Sequence, residues 1–203
     1  MRIPNHVGII PDGNRRYALS KGLDKADGYE KGLAPGLSAF NALKEAGVKE
    51  ITFYGFTVDN TKRPTNQRLA FTKACVDAVR LIAANDCELL VIGNSDSPMF
   101  PEELKPYTTR QKIGKGGIKL NFLVNYSPVW DLSTGTPQPR SNDISRIDLI
   151  IRWGGMRRLS GFLPMQSVYS DFYVVNDLWP DFRLHHITEA LNWYNMQDIT
   201  LGG

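Results

Sequence analysis

Short apolar runs recur along this chain, and most of them break off into a cluster of charge, glycine and proline. "HVGII" runs into "PDGNRR", "ITFYGFT" into "VDNTKRP", "NFLVNY" into "SPVWD" and "DLII" into "RWGGMRRLS". Runs this short, bounded by turn residues, suit buried strands better than helices. They predict strands over 7–10, 51–57, 88–92, 118–125, 149–151 and 172–175. Between them lie segments with apolar residues at three- and four-residue steps. These predict helices over 29–46, 66–84, 102–112 and 184–194. Pro35 and Gly36 should bend or weaken the first of these, and Gly47 should stop it. Strand alternating with helix is the pattern of an α/β chain: here a six-stranded, mostly parallel sheet flanked by helices. The polar stretch 133–147 reads as a loop. At 203 residues, with no internal repeat and no shift of composition, the chain reads as one domain over 1–203.

Ligands of such sheets bind beyond the carboxyl ends of the strands. That rule gathers the polar clusters at one edge. It brings Arg15, Arg16, Arg63, Arg152, Arg157 and Arg158 toward one cleft with Asp12 and Asp59. Gly13 would let backbone approach a ligand closely, and free N–H groups after it could meet an anion. Arginine forks match phosphate oxygens, and several together can neutralise a diphosphate. One carboxylate among them makes sense if it shares a divalent cation with phosphate, as Mg²⁺ sites commonly do. Taken singly, "DG" is an ordinary turn and "RR" an ordinary solvated face. The reading rests on their convergence.

Other features bound the function. A net charge of +3 is too small to argue for a nucleic-acid partner. No apolar run is long enough to span a bilayer, and no signal-peptide pattern opens the chain, so a cytoplasmic location is expected. Cys75 and Cys87 lack metal spacing and read as reduced core residues. His6 reads as a structural hydrogen-bonding group, Trp179 as packing, and His185 and His186 as residues of the last helix without a role.

"HVGIIPDGNRRYA", "FYGFTVDNTKRP", "LNFLVNYSPVWDL" and "DLIIRWGGMRRLSGFLPMQSVYSDFYVVNDLWPDF" together resemble the signatures of the cis-prenyltransferases, the undecaprenyl diphosphate synthase family. They fall in the family's order and cover most of the chain. The resemblance implies that family's fold, usually as a dimer. It also implies condensation of an allylic diphosphate with isopentenyl diphosphate, dependent on Mg²⁺ and releasing diphosphate. It makes Asp12 the essential carboxylate that holds Mg²⁺. Gly13, Asn14, Arg15 and Arg16 would surround the allylic diphosphate, with Lys25, Tyr29 and Arg63 on the same site. Arg152, Arg158 and Ser160 would bind the second diphosphate. Thr57, Asp59 and Asn60 match a loop implicated in catalysis. Asp171 matches a glutamate that also contacts the metal, typically from the other subunit.

The chain departs from the family at several of these places. Lys25 stands for an arginine, Tyr29 for a histidine, Thr61 for a tryptophan and Met156 for an acidic residue. Ile199 and Thr200 stand where a tail arginine usually reaches the neighbouring subunit. A homodimer is the first expectation. The missing arginine leaves open a heteromer with a divergent subunit, or irregular coupling of two allylic diphosphates. A non-catalytic partner subunit or a diphosphate-binding module are the readings without turnover, and peripheral membrane contact stays open. The segment from Arg63 to Asn85 is short for the family's tunnel-lining helix, which suggests a short product. Leu69, Phe71, Val76 and Val79 are its candidate tunnel residues, although their periodicity alone suits core.

Overall fold

The computed structural model describes residues 1–198. Ile199 and Thr200, where a tail arginine is missing, lie outside them. In chain order the strands are β1 (His6–Ile10), β2 (Glu50–Thr57), β3 (Cys87–Ile92), β4 (Gln111–Ile113), β5 (Ile118–Tyr126), β6 (Leu149–Arg152) and β7 (Asp171–Val174). The α-helices are α1 (Asn14–Ser20), α2 (Leu33–Glu45), α3 (Thr65–Ala83), α4 (Pro128–Leu132) and α5 (Leu184–Asn195). The sheet order is β4-β3-β5-β2-β1-β6-β7. All neighbours are parallel except β3 and β4. The α/β reading therefore holds, with seven strands instead of six.

The extra strand corrects the helix expected over 102–112. Pro106 cannot continue an α-helix, so the segment closes as a 3-10 turn over Glu102–Tyr107. Gln111–Ile113 then pairs antiparallel with β3 at the sheet edge. The helix expected over 29–46 begins later. A 3-10 turn occupies Glu30–Gly32, and α2 starts at Leu33. Pro35 falls in the first turn of α2, where its missing N–H has no intrahelical partner to lose. The proline is compatible with the helix there instead of bending it.

Strand alternation divides the core between two faces. Val7, Ile9, Ile51, Phe53, Leu120, Phe122 and Ile151 face one side with buried residues of α2, α3 and α5. Ile10, Tyr54, Leu123 and Ile150 face the other, packed against Phe162, Leu163, Ile144 and Ile147. That second face is covered largely by irregular chain. Asp131, fully buried in α4, ties it down by accepting from the Tyr126 hydroxyl at 2.7 Å and from Ser141 N–H and Oγ at 2.8 and 2.7 Å. Burial, then this carboxylate, push the Tyr126 hydroxyl far above the usual phenol range.

The same face buries a polar network at the amino end of the strands. His6 Nε2 meets Thr52 Oγ1 at 2.8 Å and His6 Nδ1 meets the Ser145 carbonyl at 3.0 Å. Asn121 Nδ2 donates to Thr52 Oγ1 and to Glu50 Oε1, and Ser145 Oγ donates to Glu50 Oε2 at 2.6 Å. His6 thus has the structural role expected of it.

Candidate functional site

Chain order reverses between β1 and β6. From β1 the chain goes to β2 on one side, while β6 lies on the other. A crevice opens at such a switch point beyond the carboxyl ends. Asp12 leaves the end of β1, and Arg152 is the last residue of β6, in register with Ile10. Arg152 Nη2 donates to Asp12 Oδ2 at 2.9 Å, while Arg16 Nη2 lies 3.4 Å from Oδ1.

Arg152 is 4% exposed and Asp12 33%. A buried guanidinium needs partners. Arg152 finds them in Asp12, in Ser160 Oγ at 2.9 Å and in the Arg158 carbonyl. Its Nε has none. Ser160 is held in the left-handed region at φ 52°, and the buried Tyr54 hydroxyl donates to its carbonyl at 2.9 Å. A strained serine anchored from the core is typical of a preorganised site. Burial raises the Tyr54 hydroxyl far above the usual phenol range, so it stays a donor.

Gly13 (φ 119°) and Gly154 (φ 84°) let the two loops close on each other. A side chain at Gly154 would strike Arg16 Nη2, and Arg16 Nη1 donates to the Gly154 carbonyl at 2.9 Å. Arg63 Nη1 donates to the Tyr29 hydroxyl at 3.0 Å and lies over the Phe71 ring. Thr57 and Asn60 cap each other. The Asn60 N–H donates to Thr57 Oγ1 at 3.2 Å, and the Thr57 N–H donates to Asn60 Oδ1 at 3.1 Å.

A cavity of about 640 Å³ opens at this edge. Asp12, Arg15, Arg16, Lys25, Arg152, Arg158 and Ser160 line its charged part. Phe53, Phe56, Phe71, Ala74, Ala78, Ile82 and Phe122 line its apolar part, between α2, α3 and the sheet. A bulge at Gly55 in β2 sits beside the cavity; a side chain there would meet Cys75 Sγ and the Leu123 carbonyl. One wall is thus cationic with a single carboxylate, and the other is aromatic and aliphatic.

The undecaprenyl diphosphate synthase model of the prenyltransferases matches residues 10–141 and 136–202. The chain belongs to this prenyltransferase family. The ditrans,polycis-undecaprenyl-diphosphate synthase of Pectobacterium atrosepticum is 30% identical over 98% of this chain and 90% of its own length. The isoprenyl transferase of Streptococcus thermophilus is 30% identical over 99% of this chain and 94% of its own. Lavandulyl diphosphate synthase of Lavandula x intermedia, solved with dimethylallyl diphosphate, shares the fold. Its TM-score is 0.81 at 23% identity over 98% of both chains.

Of the expected site residues of this prenyltransferase, Asp12, Gly13, Asn14, Arg15, Arg16, Lys25, Tyr29, Thr57, Asn60, Arg63, Arg152, Arg158 and Ser160 line the one cavity. Others do not. The Asp59 side chain is 83% exposed, pairs with Lys62 at 2.6 Å and stays outside the lining. Arg157 is exposed on the surface. In the "NYSPVWD" cluster Asn125, Tyr126 and Asp131 turn inward, and none of the cluster joins the cavity lining. Asp171 opens β7 in register with Leu149, three residues before the level of Arg152. That is about 10 Å along the strand, so within this chain Asp171 stays apart from Asp12. Burial chiefly raises its carboxyl above the usual range. Of the candidate tunnel residues, Phe71 lines the cavity, Val76 and Val79 belong to the core, and Leu69 is exposed.

Sequence reasoning missed Tyr54, whose only signal was its place near the carboxyl end of a strand. It also missed what Leu178 and Trp179 do. Leu178 covers Gly13, and the Trp179 N–H donates to the Asp12 carbonyl at 3.0 Å.

Proposed function

We propose that this prenyltransferase condenses an allylic diphosphate with isopentenyl diphosphate, releasing diphosphate and giving a short prenyl product. The observation that carries the reading is the Asp12–Arg152 pair at the charged side of a cavity whose other side is apolar. An amphipathic ligand with an anionic head and a hydrocarbon tail matches both walls.

Mg²⁺ fits the donor set in one way only. Among the described residues no three carboxylate, histidine or cysteine groups gather as a protein-only cage. Asp12, a single part-exposed carboxylate among arginines, suits an ion shared with substrate phosphate. Bound there, it would supply charge neutralisation to a departing diphosphate.

The chain's own residues then divide the work. Arg16 presents fixed positive charge where negative charge accumulates on the leaving group, while Arg152 aims Asp12 and belongs with Arg158 and Ser160 to the second diphosphate. Arg158 and Ser160 place the second diphosphate within the same edge. Thr57 and Asn60, locked in their mutual cap, hold the loop between the two walls. Phe71, Ala74, Ala78 and Ile82 receive the hydrocarbon. From Phe71 to Ile82 the helix rises about 16 Å, which supports a short product. The alignment with the Pectobacterium relative runs over 230 positions against this chain's 203 residues, so the relative carries segments that are missing here.

Incubating the purified chain with dimethylallyl, geranyl or farnesyl diphosphate, with and without isopentenyl diphosphate, tests the reading. Diphosphate release should require Mg²⁺, stop on chelation and vanish in Asp12→Ala. Release without isopentenyl diphosphate would point to coupling of two allylic units. Release only on adding a second polypeptide would point to a heteromer. A long polyprenyl product by mass spectrometry would end the short-product claim.

A further inference from the structure

His186 lies on α5 outside the cavity lining, yet it is 3% exposed and every ring nitrogen is engaged. Its Nδ1 accepts from the Trp153 indole N–H at 3.3 Å and from the Arg183 N–H at 3.2 Å. Two donors on Nδ1 leave the proton on Nε2. Nε2 meets Asp177 Oδ2 at 2.9 Å. Asp177 belongs to a strap, residues 176–179, that runs beneath both loops of the cleft. Its carbonyl accepts from the Gly154 N–H at 2.8 Å, the Leu178 side chain covers Gly13, and the Trp179 N–H donates to the Asp12 carbonyl at 3.0 Å. The Trp179 indole is itself pinned, donating to the Gly32 carbonyl at 3.0 Å.

We propose that His186 is a positioning residue of the diphosphate cleft: through Asp177 it fixes the strap whose backbone sets Asp12 and Gly154 against each other. The inference rests on the prenyl-transfer reading for its turnover readout and on anion binding by the cleft for its other readout. The strap reaches the Asp12 loop and the Arg152–Gly154 loop at once. A loosened strap therefore misplaces the carboxylate and the Gly154 carbonyl that holds Arg16. Displacements of this kind cost activity without removing any group that touches substrate.

The groups facing His186 are Asp177 on the strap, Arg183 ahead of the helix, and His185 and Glu189 on α5. Burial, then the neighbouring His185, lower its pKa below the usual histidine range, against the opposing pull of Asp177 and Glu189. Protonation would put a third hydrogen among the two donors at Nδ1, so the ring works in its neutral form.

The test uses the full chain and two readouts: affinity for inorganic diphosphate with Mg²⁺ by calorimetry, and turnover. Asp177→Ala breaks the link at a side chain that is 56% exposed, so the fold is retained. It should weaken diphosphate binding and lower kcat about ten-fold each, with the melting temperature near that of the wild type. H186N keeps an acceptor at the Nδ1 place but cannot reach Asp177, and should behave like Asp177→Ala. H186Q keeps an N–H toward Asp177 and should restore both readouts. Between pH 7 and about 5, the ratio of wild-type to H186Q dissociation constants should rise, because only the wild type can charge at this position. Wild-type behaviour of Asp177→Ala in both readouts would overturn the proposal. So would equal loss in H186N and H186Q accompanied by a lower melting temperature. A wild-type chain that binds diphosphate but never turns over would remove the prenyl-transfer reading alone, and the binding series would still decide the role of His186.

Discussion

Two polar assemblies sit at opposite ends of one sheet. At the amino ends, the buried His6, Glu50, Thr52 and Asn121 form a closed network in which donors meet acceptors inside the core, capped at the surface by the exposed Ser145. At the carboxyl ends, Asp12, Arg16, Arg152 and Ser160 form an open one. There Asp12 is part-exposed, and among the described residues Arg152 Nε and Asn14 Oδ1 are left without partners. Both assemblies use charge near the core. The first is satisfied by its own chain and serves stability. The second keeps unspent hydrogen-bonding capacity and an open cavity, which is the condition for binding something else.

The contrast makes predictions, the largest first. Asp12→Asn preserves the shape and an acceptor for Arg152 but removes the charge. Turnover should fall about 10²–10³-fold while thermal melting stays near the wild type. A large loss of stability instead would mean that the two ends are not functionally distinct. Glu50→Ala should do the reverse. It leaves the buried Asn121 amide one acceptor short, costing about 2 kcal/mol of stability, read by urea unfolding. The folded fraction should keep its kcat. Arg152→Lys keeps the charge but loses the fork that joins Asp12 to Ser160. A ten- to hundred-fold drop in kcat/KM is expected, and unchanged kinetics would show that the fork is dispensable.

The smallest effect is on pH. Burial holds His6 below the usual histidine range. His186 is shifted the same way, so the unfolded chain takes up these protons more readily than the folded one. Stability should be full above about pH 6.5 and decline as pH falls toward the folded values. Urea midpoints at two pH values check it, and the H186Q background isolates the His6 share. Stability that rises on acidification through this window would contradict the closed network.

Much of the fold was legible because alternation between β-branched runs and helical periods is written locally. The six strands expected all appear. The seventh was hidden because "QKI" is too short and polar to look like a strand. It exists by pairing with β3, a partner more than twenty residues upstream. The helix over 29–46 was blurred because a proline in a first turn and a proline in a helix interior look alike until the start of the helix is known.

The site was legible to the extent that its groups lie on strand ends. Asp12, Arg63, Arg152 and Arg158 could be gathered by rule, while Thr57, Asn60 and Ser160 came only with the family resemblance. The rule over-gathered Asp59, Arg157 and the "NYSPVWD" cluster, because it assigns an edge and says nothing of side-chain direction. For Asp131 the direction is inward, since Tyr126 and Ser141 satisfy its carboxylate there.

The linear order of residues carries the family, the α/β class and the identity of the charged groups, because motifs and periodicities are properties of neighbours along the chain. It does not carry which arginine is buried, which aromatic walls the cavity, or that a strap from residues 176–179 clamps two loops that follow distant strands. Those depend on contacts between segments distant in the chain, such as Asp12 with Arg152 and Trp179, and such contacts exist only once the sheet has brought β1, β6 and β7 side by side.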